Sequence, residues 1–174
     1  MYHSAPNAMG MNSLRANASV VLQPKFDAEE TLRLIERWRV THAYFAPIMF
    51  NRLLQLPREV RERYDLSSLR FAVHAAAPCP AEIKRAMIEW WGPVINEFYG
   101  STEARAVTAC SSAEWLAHPG TVGKLLPGAI VRVVDAERRG GLDGIVLEDV
   151  LADPRAAPGL LIPARLSQRN SRSP

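Results

Sequence analysis

Apolar residues recur with helical spacing in several stretches of the chain. The first such stretch follows Asp27 and Glu30, whose spacing is typical of a capping box that satisfies free backbone N–H groups at a helix start. Its inward positions recur at i, i+3, i+4 and i+7, which predicts a helix with one buried stripe. The residues of that stripe are Thr31, Leu34, Ile35 and Trp38.

Two further helices are predicted downstream, and each begins at a proline. Pro47 suits a first helical turn because its missing N–H would have no partner there. Pro57 ends that helix, a short exposed helix follows at Arg58–Tyr64, and Pro80 begins the clearest helix, which stops at Gly92. The expected inward residues are Met49, Phe50, Leu53 and Leu54 in the first and Ile83, Ala86, Met87 and Trp90 in the second. The expected solvent face of the second carries Glu82, Lys84, Arg85 and Glu89.

Short β-branched or aromatic runs between these helices predict strands. The predicted strands are Ser19–Leu22, His42–Phe45, Arg70–His74, Val94–Phe98 and Ala129–Val134. Residues 1–17 show no clear period and are expected to form a loop with at most one helical turn. The strand–helix–strand unit around Pro80 has the length that a parallel crossover requires, so we predict an α/β fold built on a parallel βαβ sheet.

Two loops follow neighbouring strands of this unit, at Ala75–Pro80 and at Tyr99–Glu103. Parallel strands end at the same edge, where open α/β sheets bind ligands, so we expect both loops to face one pocket. The strand is expected to end before a sharp turn at Gly100. An aromatic ring, a turn glycine, a hydroxyl and a carboxylate together suit a nucleotide with its phosphates and Mg²⁺. Taken alone, the motif also fits a strand followed by an ordinary polar turn.

Four stretches in this order resemble the adenylate-forming superfamily of AMP-dependent synthetases and ligases, and look most like its fatty-acyl-CoA synthetases. They are Met1–Asn7, Ala75–Pro80, Val94–Glu103 and Gly120–Gly128. The resemblance implies that residues 1–135 are a partial AMP-binding domain, a fragment of the large N-terminal domain with the start of a small β subdomain. Residues 136–174 are expected to form a divergent, poorly ordered tail, for which a change of coding frame near Glu137 is one hypothesis.

The resemblance implies an adenine-binding role for the first loop. Ala76, Ala77 and Pro78 would line the adenine ring, and Tyr99 would stack on it. The family more often has glycine in this loop. Alanine is nearly as small, but it gives up easy access to positive φ angles.

The resemblance also implies roles for the second loop and for the start of the chain. Gly100, Ser101 and Thr102 would bind the nucleotide, Thr102 by contacting the α-phosphate. Glu103 would hold Mg²⁺ and, with Thr102, form the catalytic pair. His3 would line the acyl pocket, and a solvent-facing histidine is the alternative of equal weight.

The implied reaction is that of an AMP-forming acyl-CoA synthetase. A carboxylate, expected to be a fatty acid, would react with ATP to give an acyl-adenylate, and coenzyme A would then displace AMP to give a thioester. The family's phosphate loop and its C-terminal lysine domain are not in this sequence, so a complementing polypeptide could supply them. One alternative is an inert truncated or frame-shifted remnant that at most binds a nucleotide, and a further one is an unrelated binding module.

The composition of the chain limits the classes of partner that we expect. The net charge of +3 comes without a basic stripe interleaved with aromatic residues, so we expect no nucleic-acid partner. The two cysteines, Cys79 and Cys110, form no framework and are expected to be inert thiols in a reducing cytoplasm. No signal peptide is visible, and the apolar run Val40–Asn51 is too short for a transmembrane segment.

Overall fold

The structure is a computed structural model that describes residues 3–102, 105–129, 131–134 and 160–163 of the 174-residue chain. The chain divides into two compact units, Met1–Lys124 and Leu125–Pro174. The helices are α1 (Ser4–Arg15), α2 (Ala28–Trp38), α3 (Pro47–Leu54), α4 (Arg58–Arg61), α5 (Ala81–Trp91) and α6 (Ser112–Ala117). The strands are β1 (His42–Phe45), β2 (Phe71–His74), β3 (Ile95–Ser101), β4 (Arg105–Cys110), β5 (Lys124–Leu125), β6 (Val131–Val134) and β7 (Leu160–Pro163).

The larger sheet confirms the predicted parallel βαβ arrangement. Its five strands lie in the order β1-β2-β3-β4-β5, and β1, β2 and β3 run parallel. Helix α5 is the crossover between β2 and β3, and its C-cap Gly92 has the positive φ of 83° that glycine tolerates. β4 turns back and pairs antiparallel with β3.

The second unit contains a two-stranded sheet in which β6 pairs with β7 in parallel. β6 confirms the strand predicted at Ala129–Val134. β7 lies in the range that the sequence predicts to be poorly ordered, and the other residues of that range, 136–159 and 164–174, lie outside the described part of the chain.

The hydrophobic core of the first unit lies where α2, α3 and α5 meet the sheet. Phe50 and Leu53 of α3, Met87 of α5 and Ile95 of β3 are fully buried. Trp115 of α6, which is 2% exposed, belongs to the same cluster. Burial of such side chains is worth about 1.5–3 kcal/mol each, so this cluster stabilises the sheet and the helices packed on it.

Helix α2 begins where the sequence predicts, but its buried stripe is rotated. The Asp27 side chain accepts a hydrogen bond from the Glu30 backbone N–H at 2.8 Å. The Glu30 carboxylate bonds to Arg33 instead of returning to the cap, so the reciprocal half of the box is not formed. Leu32 is fully buried, whereas Trp38 is 57% exposed and was wrongly predicted to face inward.

Two predictions for the first 22 residues are wrong. Residues 4–15 form helix α1 instead of a loop, and its buried residue is Gly10, which carries no apolar signal. The predicted strand Ser19–Leu22 is not a strand: none of the described strands pairs with it, and Leu22 is 59% exposed.

Lys84 was also predicted wrongly, because its side chain is fully buried instead of lying on the solvent face of α5. The remaining predicted solvent-face residues, Glu82, Arg85 and Glu89, are exposed. Within the described residues, no helix has both the length and the apolar character needed to cross a bilayer.

Candidate functional site

The first loop named by the sequence follows the carboxyl end of β2, and the second segment forms the carboxyl-terminal part of the adjacent parallel strand β3 and the residue after it. The register pairs Val73 with Asn96 and His74 with Glu97. The first loop begins at the residue after His74, and Tyr99 lies two residues after the Glu97 with which His74 is paired. The predicted meeting of the loops at one edge of the sheet is therefore confirmed at the level of topology.

The first loop exposes small side chains on a strained backbone. Ala75 is buried, whereas Ala76, Ala77 and Pro78 are exposed. Ala76 has φ = 79°, a left-handed conformation that an L-residue other than glycine seldom adopts. The loop thus uses the positive φ for which the family's glycine is suited, although alanine occupies the position.

Cys79, in the first loop, has the properties of the unreactive thiol that the sequence predicts. Burial raises the pKa of the Cys79 thiol to about 11; the Lys84 charge opposes this effect, and the Glu97 charge adds a smaller increase. Burial also raises the pKa of Cys110 on β4. Both thiols are therefore protonated near neutral pH and are poor nucleophiles.

The second loop is the end of a hairpin and not a free turn. β3 runs on to Ser101 and pairs with β4, with a register shift between Tyr99 and Gly100. The predicted break at Gly100 is therefore wrong. A Cβ atom there would lie 1.7 Å from the Arg105 carbonyl oxygen, so the glycine is needed for close approach of the β4 backbone.

Tyr99 and Thr102 lie on this hairpin with accessible side chains. Tyr99 is 37% exposed, and Thr102 is exposed. The Thr102 hydroxyl lies 3.3 Å from the Ser4 hydroxyl, and either can donate. This contact brings the start of α1 to the second loop across 98 residues of sequence.

His3, the predicted pocket residue, is exposed and occupies the N-cap position of α1. Because it precedes Ser4, the Ser4–Thr102 contact also brings His3 to the neighbourhood of Thr102. Ser4 was not singled out from the sequence. A hydroxyl directly after His3 was the signal available.

A charged cluster lies beneath the two loops. Lys84 Nζ donates to Glu97 Oε2 at 2.5 Å, and His74 Nε2 lies 3.6 Å from the same oxygen. The His74 side chain is fully buried, and burial, with a smaller effect from the Lys84 charge, lowers its pKa to about 3. His74 is therefore neutral, and the pair of opposite charges beside it has no net charge.

The predicted metal ligand cannot be placed, because Glu103 lies outside the described residues. Among those that are described, no three His, Cys, Asp or Glu side chains are grouped so that they could hold a metal ion.

A separate groove of about 520 Å³ lies between α3, α4 and α5. Its charged side chains include Arg58, Arg61, Glu62 and Glu89. Arg58 pairs with Glu62, and the Arg61 guanidinium lies over the Trp90 ring. None of the site residues predicted from the sequence lines this groove.

Comparisons with known proteins agree on one group of enzymes. A model of the family described as AMP-binding enzymes matches residues 1–144. The chain is 31% identical over 139 residues to a probable CoA ligase of Humulus lupulus, covering 79% of this chain and 25% of that protein. It is 34% identical over 136 residues to 4-coumarate–CoA ligase 2 of Oryza sativa subsp. japonica, covering 75% and 24%. Identity to a long-chain-fatty-acid–CoA ligase of Bacillus subtilis is 30% over 125 residues, covering 72% and 22%.

Solved structures agree with these matches. The amide bond synthetase McbA from Marinactinospora thermotolerans superposes with a TM-score of 0.73 at 30% identity, over 80% of this chain and 29% of that one. The N-terminal domain of FACL13 from Mycobacterium tuberculosis gives 0.70 at 22% identity, over 81% and 36%, which bears on the fold alone. The chain spans about a quarter of the length of the curated relatives it matches.

Proposed function

Since the chain belongs to the family of AMP-binding enzymes, we propose that it carries part of the nucleotide site of an AMP-forming acid–thiol ligase. The recognition of an adenylate-forming fragment and the α/β fold class predicted from the sequence are confirmed. The observation that carries the proposal is the parallel register of β2 and β3, which brings the loops at Ala75–Pro80 and Tyr99–Thr102 to one edge.

Adenine would bind between the two loops. The exposed ring of Tyr99 supplies a face for stacking, and the small side chains of Ala76 and Ala77, with Pro78, leave room for a planar base on the other side. Stacking of a base on an aromatic ring is worth about 1–3 kcal/mol. Backbone groups of the first loop would then supply hydrogen bonds to the edge of the ring.

The phosphates would lie toward the tip of the hairpin. Gly100 and Ser101 bring the backbone to this point. The Thr102 hydroxyl can accept from the Ser4 hydroxyl and donate its own hydrogen to an α-phosphate oxygen as negative charge develops there. Glu103 is the proposed Mg²⁺ ligand. Bound Mg²⁺ would neutralise phosphate charge.

The proposed chemistry has two displacements. A carboxylate oxygen of the substrate attacks the α-phosphorus of ATP, the bond to pyrophosphate breaks, and an acyl-adenylate forms. The sulfur of coenzyme A then attacks the acyl carbon, and the bond to AMP breaks. The residues of this chain contribute by orienting the nucleotide and by stabilising charge, and His3, near Thr102 at the start of α1, would line the acyl side.

The carboxylate substrate is proposed to be a fatty acid. The relatives include proteins named for 4-coumarate and for long-chain fatty acids, so a direct comparison of the two substrates tests this choice. A complementing polypeptide that carries the rest of the enzyme, and a cytoplasmic location, belong to the same proposal.

Nucleotide binding is the first test. Calorimetric titration of the chain with AMP and with ATP should give a measurable dissociation constant. Tyr99→Ala should weaken binding by about tenfold or more, and Tyr99→Phe, which keeps the ring, should change it little. Equal binding by all three chains would remove Tyr99 from the site, and no binding by the unaltered chain would refute the proposal.

Exchange of labelled pyrophosphate into ATP is the second test. Exchange that depends on a fatty acid, and exceeds that with 4-coumarate, would support the proposed substrate. Thr102→Val should reduce exchange by about 10–100-fold, whereas Thr102→Ser, which keeps the hydroxyl, should retain most of it. Binding without exchange would leave a nucleotide-binding module in place of an active ligase.

A further inference from the structure

Lys84, Glu97 and His74 form a buried charged cluster that has no part in the roles proposed above. One oxygen, Glu97 Oε2, lies 2.5 Å from Lys84 Nζ and 3.6 Å from His74 Nε2. Lys84 and His74 have fully buried side chains, and that of Glu97 is 12% exposed. Burying two ions removes their hydration, so an ion pair here is a weak source of stability compared with apolar packing. Stability alone therefore does not explain why an ion pair occupies this buried position.

The positions of the three residues along the chain connect the cluster to both loops. His74 is the last residue of β2, directly before the first loop. Lys84 lies in the first turns of α5, directly after that loop. Glu97 lies on β3, two residues before Tyr99. One carboxylate on β3 therefore contacts residues on both sides of the first loop, His74 before it and Lys84 after it.

Helix α6 covers this cluster from the other side. The Lys84 ammonium lies 5.2 Å from the centre of the Trp115 ring. The Ser112 hydroxyl donates to the carbonyl of Ile95, two residues before Glu97, at 2.5 Å. The charged groups are thus enclosed on the sheet by α5 and α6, where a charge-assisted hydrogen bond is strong and directional because the local dielectric constant is low.

We propose that Lys84 and Glu97 are positioning residues that hold the Ala75–Pro80 and Tyr99–Thr102 loops at the separation a nucleotide needs. Apolar contacts at this place would be non-directional and would allow α5 to shift along β3. The ion pair fixes the first turns of α5 to one point of β3, and so fixes the first loop relative to the second. The role of the ion pair in nucleotide binding rests on the proposed function, whereas its ordering of the two loops in the ligand-free chain does not.

Amide hydrogen exchange of the ligand-free chain tests the inference directly. Lys84→Met and Glu97→Gln keep the approximate shape of each side chain and remove its charge. Both should speed exchange in residues 75–80 and 98–102 by about tenfold or more relative to the rest of the sheet. Met87→Ala is the matched control, because Met87 is also fully buried on α5 but lies outside the cluster. When Met87→Ala is compared with a cluster variant of equal free energy of unfolding, its two loops should exchange their amide hydrogens at the rates seen in the unaltered chain.

The double variant Lys84→Met with Glu97→Gln separates positioning from simple burial. With no unpaired charge left, it should be more stable than either single variant and should fold even if a single variant does not. Its loops should still exchange rapidly. Slow loop exchange in the double variant, or equally fast loop exchange in Met87→Ala, would overturn the inference.

Titration with AMP distinguishes this inference from the function on which it rests. The double variant should bind AMP about tenfold or more weakly than the unaltered chain. Unchanged AMP affinity in the double variant would overturn the positioning role. If the unaltered chain binds no AMP, the proposed function fails, and the exchange rates still decide whether the ion pair orders the loops.

Discussion

Ala76 is the residue at which the candidate site departs most from ordinary backbone geometry. Its φ of 79° lies in the left-handed region, where the Cβ atom of an L-residue meets the following carbonyl oxygen. The side chain is exposed and gains no packing in return. Strain of this kind persists only where the surrounding structure holds it, and here the buried residues His74 and Ala75 directly precede Ala76.

Replacement of Ala76 by glycine is expected to stabilise the chain by about 0.5–1 kcal/mol. Glycine relieves the left-handed strain, which exceeds the entropy it adds to the unfolded chain. Urea denaturation measures the difference. Ala77→Gly is the control, because Ala77 is also exposed but has no positive φ, and it should stabilise nothing. An Ala76→Gly chain no more stable than the control would contradict the strain argument.

His74 makes the stability of the chain depend on pH. Burial lowers its pKa from 6.5 to about 3, so between these values the unfolded state binds a proton that the folded state does not. Stability is therefore full above pH 6.5 and is lost as the pH falls, by about 1.4 kcal/mol per pH unit. Between pH 6.5 and 5 the expected loss is about 2 kcal/mol.

Denaturation of His74→Gln at several pH values checks this slope, which the substitution should remove. Lowered carboxyl pKa values, such as that of Asp65 at about 2, affect both chains and cancel in the comparison. His42→Gln, at an exposed histidine of β1, is the matched control and should keep the slope of the unaltered chain. A slope that survives in His74→Gln would assign it to other groups.

At the scale of elements, the strength of the local pattern decided which predictions held. Helices α3 and α5 and strands β1 and β2 carry apolar residues at regular spacing between prolines, and their predicted positions are confirmed. Helix α1 was not predicted because its buried position is a glycine, Gly10, which adds nothing to an apolar pattern. The β3–β4 hairpin was missed because β4 was not predicted as a strand, so nothing indicated that another backbone approaches Gly100.

Gly100→Ala is expected to destabilise the β3–β4 hairpin by about 1–3 kcal/mol, because the added Cβ would meet backbone atoms of Arg105 and Ala106. Gly120→Ala is the comparison. It has φ = 92° but no atom within 4 Å of the added Cβ, so only conformational strain of about 1 kcal/mol is expected. Urea denaturation of both variants ranks them. A Gly100→Ala loss no larger than that of Gly120→Ala would rule out the backbone clash.

At the scale of the whole molecule, the core cluster found among the described residues lies within the first unit. The buried core residues and those packed against them run from Phe26 to Trp115. The boundary predicted from the resemblance, residue 135, and the unit boundary at Lys124 both leave this core intact. The two-domain division predicted at residue 135 stays a prediction.

A chain that ends at residue 129 is therefore expected to fold. It should unfold in one cooperative transition in urea, because it keeps every residue of the core cluster. A chain that ends at residue 104 loses β4 and the buried Trp115 and should not unfold cooperatively. Loss of cooperativity in the longer fragment would show that residues beyond 129 are needed for the first unit.

The amino-acid sequence by itself determined the family, the parallel βαβ unit and the order of the site motifs. These depend on local periodicity, on prolines and glycines at element ends, and on short motifs, which are all properties of neighbouring residues. Only the tertiary structure decided that Lys84 is buried against Glu97, that Ser4 contacts Thr102, and that Gly100 serves strand pairing. The residues of these three contacts are, in the same order, 13, 98 and 5 positions apart along the chain. Such contacts form only when helices and strands pack together, and the periodicity of one element does not indicate which residues of another element it will contact.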